Sequence, residues 1–156
     1  DPAMAEVVAE RRCPVCLMHM RGEPRTMQED PRYDDVVADV LAFLEQRMAF
    51  AVAEGVAEEQ IVLDPGIGFG KTARHNLQLI HRLDRLSALG RPVGLGASRK
   101  RFLGAVLGTG PEDRLIGTVA TTALGLERGA AVIRVHDVMP NYEALRVSLA
   151  IMEADR

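Results

Sequence analysis

At 156 residues the chain has the length of one domain and can bury a core. Its 47% hydrophobic and 26% charged residues are those of a soluble globular protein. A net charge of -3 with only 4% aromatic residues gives nucleic acid nothing to bind, and no apolar run approaches the roughly 20 residues of a membrane span.

Residues 1–12 read as a short helix, with Asp1 before Pro2 as its start signal. The chain opens on that signal with no initiator methionine and no signal peptide, so it reads as a piece of a longer protein of the cytoplasm. Cys13 to Met20 reads as the first strand. Its C-x-x-C pair, Cys13 and Cys16, lacks the second ligand pair that zinc usually takes, and in a strand the two thiols point to opposite faces. They are expected to be ordinary buried strand residues. A polar loop with Gly22 and Pro24 follows.

Tyr33 to Glu54 is predicted as a helix: Val36, Val40, Leu44 and Met48 recur at helical spacing, widened by Val37, Leu41 and Val52, and Gly55 closes it. Ile61 to Asp64 is an apolar strand that turns acidic at its end and runs into Gly66, Gly68, Gly70 and Lys71. A helix from about Asn76 to Leu89 presents Leu79, Leu83 and Leu86, with Gly90 after it. Val93 to Ala97 is a third strand, and Ser98-Arg99-Lys100 open a helical segment to about Leu107. Pro111 starts a helix to about Arg128 whose small residues (Gly117, Thr118, Ala120, Ala123, Gly125) allow close approach to a sheet or to another subunit. Ala131 to Val138 is the fourth strand, and Asn141 to Ala154 the closing helix.

Strand and helix thus alternate four times, which argues for α/β architecture with a parallel sheet and right-handed crossovers. Two closures satisfy the pattern: a small open sheet of flavodoxin type, or half of an eight-unit barrel, which in full takes about 250 residues.

The stretch Gly66 to Thr72 invites a phosphate-loop reading, but Pro65 stands where that motif needs its first glycine, and Lys71 stands where the dinucleotide fingerprint needs its third. Asp64, at a strand's carboxyl end before a glycine loop, suits a ligand with an amino-pyrimidine or guanidine-like edge; a cap or salt bridge is the alternative. Ser98-Arg99-Lys100 at a helix start suit an anion or an electron-rich oxygen, a solvated basic turn being the alternative. Arg134 and His136 alternate along a strand and share a face, where burial would demand an anionic partner. His19 is left between a structural and a functional role. His75 and His81 are six apart, and no metal cluster is expected in the chain.

Four motifs, in order and at suitable spacing, resemble dihydropteroate synthases: Leu17-Met-His-Met-Arg-Gly with Pro24 and Thr26-Met-Gln28, Leu63-Asp-Pro-Gly-Ile-Gly-Phe-Gly-Lys71, Gly96-Ala-Ser-Arg-Lys100, and Ile133-Arg-Val-His-Asp-Val138. The resemblance covers essentially the whole chain. It implies the second half of a (β/α)8 TIM barrel, residues 1–156 forming one partial domain. It also implies condensation of 6-hydroxymethyl-7,8-dihydropterin pyrophosphate with p-aminobenzoate, the step that sulfonamides block, to give dihydropteroate and pyrophosphate.

Carried onto this chain, the resemblance gives Asp64 and Lys100 catalytic roles. Asp64, Lys100, Met18, Gly96 and Arg134 would hold the pterin, and Phe69, Gly68, Ser98 and Arg99 the p-aminobenzoate. Arg134 and His136 would hold pyrophosphate. Mg²⁺ is implied with its ligand in the N-terminal half-barrel, which this chain lacks, and with no metal ligand here. The partners implied are that half-barrel and a second copy in a homodimer, with no nucleic acid and no membrane; the chain alone is expected to be inactive. Two other readings remain. One is a non-catalytic pterin-binding module like the barrels of corrinoid-dependent methyltransferases, against which Ser98-Arg99-Lys100 and Phe69 speak. The other is an open flavodoxin-like phosphate-binding domain.

Overall fold

The computed structural model describes residues 3–154. The predicted start signal at Asp1 and Pro2 lies outside them. Four short strands, β1 (Val15–Met18), β2 (Ile61–Asp64), β3 (Val93–Leu95) and β4 (Ala130–Ile133), form one sheet. All three pairings are parallel, and the spatial order is the chain order, β1-β2-β3-β4. A flavodoxin-type sheet reverses direction at a switch point, whereas a barrel adds each strand beside the last. The observed order has no reversal. It is the arrangement of half a (β/α)8 barrel.

Among the described residues seven α-helices accompany the strands: α1 (Ala3–Arg11), α2 (Val36–Ala53), α3 (Ala73–His81), α4 (Asp84–Ser87), α5 (Arg101–Leu107), α6 (Leu115–Glu127) and α7 (Val138–Met152). The sheet is apolar toward this helical layer. Ile61 and Leu63 are fully buried there, while Val62 and Asp64 alternate onto the other, half-open face. Val36, Val37, Val40 and Leu44 of α2 meet Leu79, Leu83, Leu86 and Val93 in one core. Val52, predicted on the inner stripe of α2, is 40% exposed, and Ala51 is buried instead.

Capping sets where α2 and α3 begin. Asp35 accepts from Val37 N at 2.9 Å and Ala38 N at 3.3 Å, so α2 starts after it and not at Tyr33. Thr72 Oγ1 accepts from His75 N at 3.2 Å, so α3 starts three residues before the predicted Asn76. The predicted single helix to Leu89 is broken at Arg82, whose two guanidinium nitrogens each lie 3.1 Å from an Asp35 oxygen, and the chain resumes helical form in α4.

Other boundaries differ as well. Pro111 opens a one-turn 3-10 helix, Pro111–Asp113, ahead of α6. The small residues of α6 admit both the sheet and a neighbouring helix: a methyl group at Gly125 would strike Leu95, and one at Gly117 would lie 3.0 Å from Leu107. Cys13 precedes β1, and both Cys13 and Cys16 are exposed free thiols, not buried strand residues. Cys16 is exposed because it lies on the face of β1 away from the helices.

Candidate active site

The carboxyl ends of the four strands carry the candidate residues. Met18 pairs with Asp64 across β1 and β2. Leu95 pairs with Ile133 across β3 and β4, and Arg134 N donates to the Leu95 carbonyl at 3.0 Å, which sets Gly96 beside Arg134 one step on. Met18 and Asp64 are therefore level across β1 and β2, and Gly96 and Arg134 are neighbours just past β3 and β4, while the β2–β3 register sets Asp64 level with Gly94, two residues before Gly96. Gly96 leaves room for the Arg134 side chain, since a methyl group there would sit 3.3 Å from its guanidinium.

Asp64 Oδ1 accepts from Gly66 N at 2.7 Å and so shapes the turn with one oxygen. The glycine loop then folds directly onto the segment after β1. Gly66 and Gly70 have φ of +67° and +63°, and a methyl group on either would run into a backbone carbonyl, of His19 and Arg21 respectively. Only glycine meets both demands. Tyr33 Oη ties the loop down by donating to Gly70 O at 2.8 Å, and Gln28 Nε2 donates to Gly68 O.

Beneath the loop lies Lys71, 3% exposed, its ammonium held by His19 Nδ1 at 2.9 Å and by the carbonyls of Gly66 and Phe69, both at 3.0 Å. When Lys71 is charged, its three N–H donors meet three acceptors. His19 therefore accepts at Nδ1 and is neutral. Burial and the neighbouring Lys71 charge hold the His19 pKa down at about 4, and burial lowers that of Lys71 to about 7. His19 is thus structural, and Lys71, given no role from sequence, is the pin of the glycine loop.

Lys100 reaches the same loop from the other side. Its Nζ donates to the Ile67 carbonyl and stands 4.5 Å from the centroid of the Phe69 ring. Burial, with Arg134 nearby, lowers its pKa to about 8 against the opposing pull of Asp64. Gln28, Gly68, Phe69, Asn76, Lys100 and Phe102 line a cleft of about 570 Å³.

Two sequence expectations are corrected. Ser98 and Arg99 do not open a helix: α5 begins at Arg101, and Arg99 adopts a left-handed turn at φ 55°. Arg134 and His136 are not strand residues, since β4 ends at Ile133, and both are exposed. Burial therefore does not force an anion upon them. His136 instead meets Ser98, its Nδ1 2.9 Å from the serine Oγ, and Arg99 makes a bidentate ion pair with Asp137 at 3.0 and 2.6 Å. Asp137, part of the fourth motif, was given no site role of its own from sequence.

The family model described as "Pterin binding enzyme" matches residues 1–136. The chain belongs to this family. It is 44% identical to the dihydropteroate synthase of Escherichia coli K12 over 99% of its own length and 55% of that protein's. It superposes with a TM-score of 0.94, at 41% identity, on a Yersinia pestis dihydropteroate synthase solved with a sulfonamide drug, over 97% of this chain and 55% of that one. A Xanthomonas albilineans dihydropteroate synthase in complex with 7,8-dihydropteroate gives 0.91 at 43% identity over 98% and 56%. The chain thus spans about half the length of the relatives it matches. Among the described residues no three His, Cys, Asp or Glu lie together. No helix among them is long and apolar enough to cross a membrane.

Proposed function

We propose that the chain forms the C-terminal half of a dihydropteroate synthase barrel, a cytoplasmic transferase joining 6-hydroxymethyl-7,8-dihydropterin pyrophosphate to p-aminobenzoate. The observation that carries this reading is the gathering of Met18, Asp64 and Arg134 at the carboxyl ends of β1, β2 and β4, with Gly96 against Arg134 and Lys100 close to both charges.

The free oxygen of Asp64 accepts the pterin's amino-pyrimidine N–H edge, a donor pattern suited to a carboxylate. Lys100 donates to the pterin carbonyl and ring nitrogen, Met18 packs on the ring, and Arg134 stacks on it from the Gly96 side. His136 and Arg134 neutralise the pyrophosphate. In the reaction the bond from the pterin methylene carbon to the pyrophosphate oxygen breaks and its electron pair leaves with pyrophosphate. The carbocation left is delocalised into the pterin. The aniline nitrogen then forms the new C–N bond and loses a proton to water. Such a step asks the protein for charge neutralisation and positioning, not for a nucleophile. Phe69 and Gly68, on the pinned loop, with Ser98, border the p-aminobenzoate.

The reading extends to an N-terminal half-barrel as partner, bringing its own Mg²⁺ ligand, and to a homodimer. Exposed Ile116 on α6 and exposed Val138, Met139, Tyr142 and Val147 on α7 support the dimer. The test is pterin binding by calorimetry: Asp64→Asn and Lys100→Ala are expected to weaken it at least tenfold with the unfolding midpoint unchanged. Equal affinity in both variants would overturn the reading.

A further inference from the structure

Two consecutive residues after β3 engage two consecutive residues after β4. Ser98 Oγ lies 3.2 Å from His136 N and 2.9 Å from His136 Nδ1, and Arg99 is bidentate to Asp137. Both ends of this two-rung ladder are anchored in turn. Arg99 N donates to Thr118 Oγ1 at 3.0 Å, and Arg114 Nη1 donates to the Arg99 carbonyl at 3.0 Å, so α6 holds the left-handed turn from both sides. Asn141, 1% exposed, donates to the Asp137 carbonyl at 2.7 Å and accepts from Thr122 at 2.8 Å, which ties the second loop to α7 and α6. Arg99 is a non-glycine residue at positive φ, a conformation that needs such external support.

We propose that Arg99 and Asp137 are positioning residues: their ion pair clasps the β3 and β4 loops together and so aims Lys100 and His136 at one ligand. This deepens the function proposed above and rests on it for the identity of that ligand. The pair is largely exposed, so it contributes little to global stability. Its effect is local: without it the Arg99 turn relaxes and the next residue, Lys100, loses its direction.

The sign of one measurement separates the clasp from its alternatives. Asp137→Asn removes a negative charge beside the residues read as the anion site. Point-charge electrostatics predicts tighter anion binding in that variant, and an Arg99 freed to act as a ligand predicts the same. The clasp predicts the opposite, a roughly tenfold weaker binding of inorganic pyrophosphate by the 156-residue chain. Charge reversal, Arg99→Asp with Asp137→Arg, is expected to recover much of the loss, since Asp tolerates the left-handed turn. Unchanged or tighter pyrophosphate binding in Asp137→Asn overturns the proposal.

Amide hydrogen exchange tests the clasp with no ligand present. In Asp137→Asn the amides of Arg99, Lys100 and His136 are expected to exchange at least tenfold faster, with those of α2 unchanged. Unaltered exchange at these three overturns the clasp whatever the chain binds. Faster exchange in a chain whose wild type binds neither pterin nor pyrophosphate supports the clasp and counts against the proposed function instead.

Discussion

The loop after β2 and the loops after β3 and β4 hold their residues by opposite means. The first is built from backbone: Gly66 and Gly70 press against the carbonyls of His19 and Arg21, and buried Lys71 saturates three acceptors underneath. The second is built from side-chain pairs, exposed Arg99 on half-buried Asp137 and exposed His136 on buried Ser98. Close backbone contact leaves no room for substitution, so damage to the first loop appears as lost stability. Side-chain pairing at the surface is cheap to break, so damage to the second appears as lost function with the fold intact.

The largest effect should come from breaking the first loop at its tightest point. Gly66→Ala puts a methyl group into the His19 carbonyl at a φ that disfavours it, and is expected to cost about 4 kcal/mol in chemical denaturation, near the upper end for single substitutions. A loss under about 1 kcal/mol would mean that the loop does not rest on β1's end as described.

Acid should weaken the same loop. His19 titrates at about 4 in the fold against 6.5 when unfolded, so the unfolded chain binds the extra proton between those values. Its contribution is complete above pH 6.5 and is lost as the pH falls toward 4, at up to about 1.4 kcal/mol per pH unit. Replacing His19 by Gln should flatten that part of the stability curve; an unaltered slope would show that another group is responsible.

Lys71→Met sharpens the contrast with a smaller change. It leaves His19 Nδ1 and two carbonyls without their donor and should cost about 2 kcal/mol, an unsatisfied-acceptor penalty partly relieved by water. A melting temperature equal to wild type would remove Lys71 from the account.

What sequence made legible follows the same division. The strand–helix order, Asp64 at the carboxyl end of β2, and the glycine loop rest on local period and composition, and each is found where the pattern put it. Closure was open until the strand order excluded a reversal. The supports of the site were not legible, because each depends on a partner far along the chain. Lys71 meets His19 from 52 residues away, and Arg99 meets Asp137 from 38. Helical spacing placed Leu79, Leu83 and Leu86 in the core, yet it could not register that Arg82 turns to Asp35 and breaks the helix between them. The early end of β4 was hidden because the strand-like alternation Ile133-Arg134-Val135-His136 continues past the last ladder residue, Ile133.

The central claim is that this chain carries a competent half of a dihydropteroate-forming site. Its most direct test is dihydropteroate formation from the two substrates with Mg²⁺, measured for the chain alone and mixed with a separately produced first half-barrel of an Escherichia coli-type relative. The account predicts product only in the mixture, and none when Lys100→Ala replaces the wild-type chain. Product from the chain alone, or from the mixture containing Lys100→Ala at the wild-type rate, would contradict it.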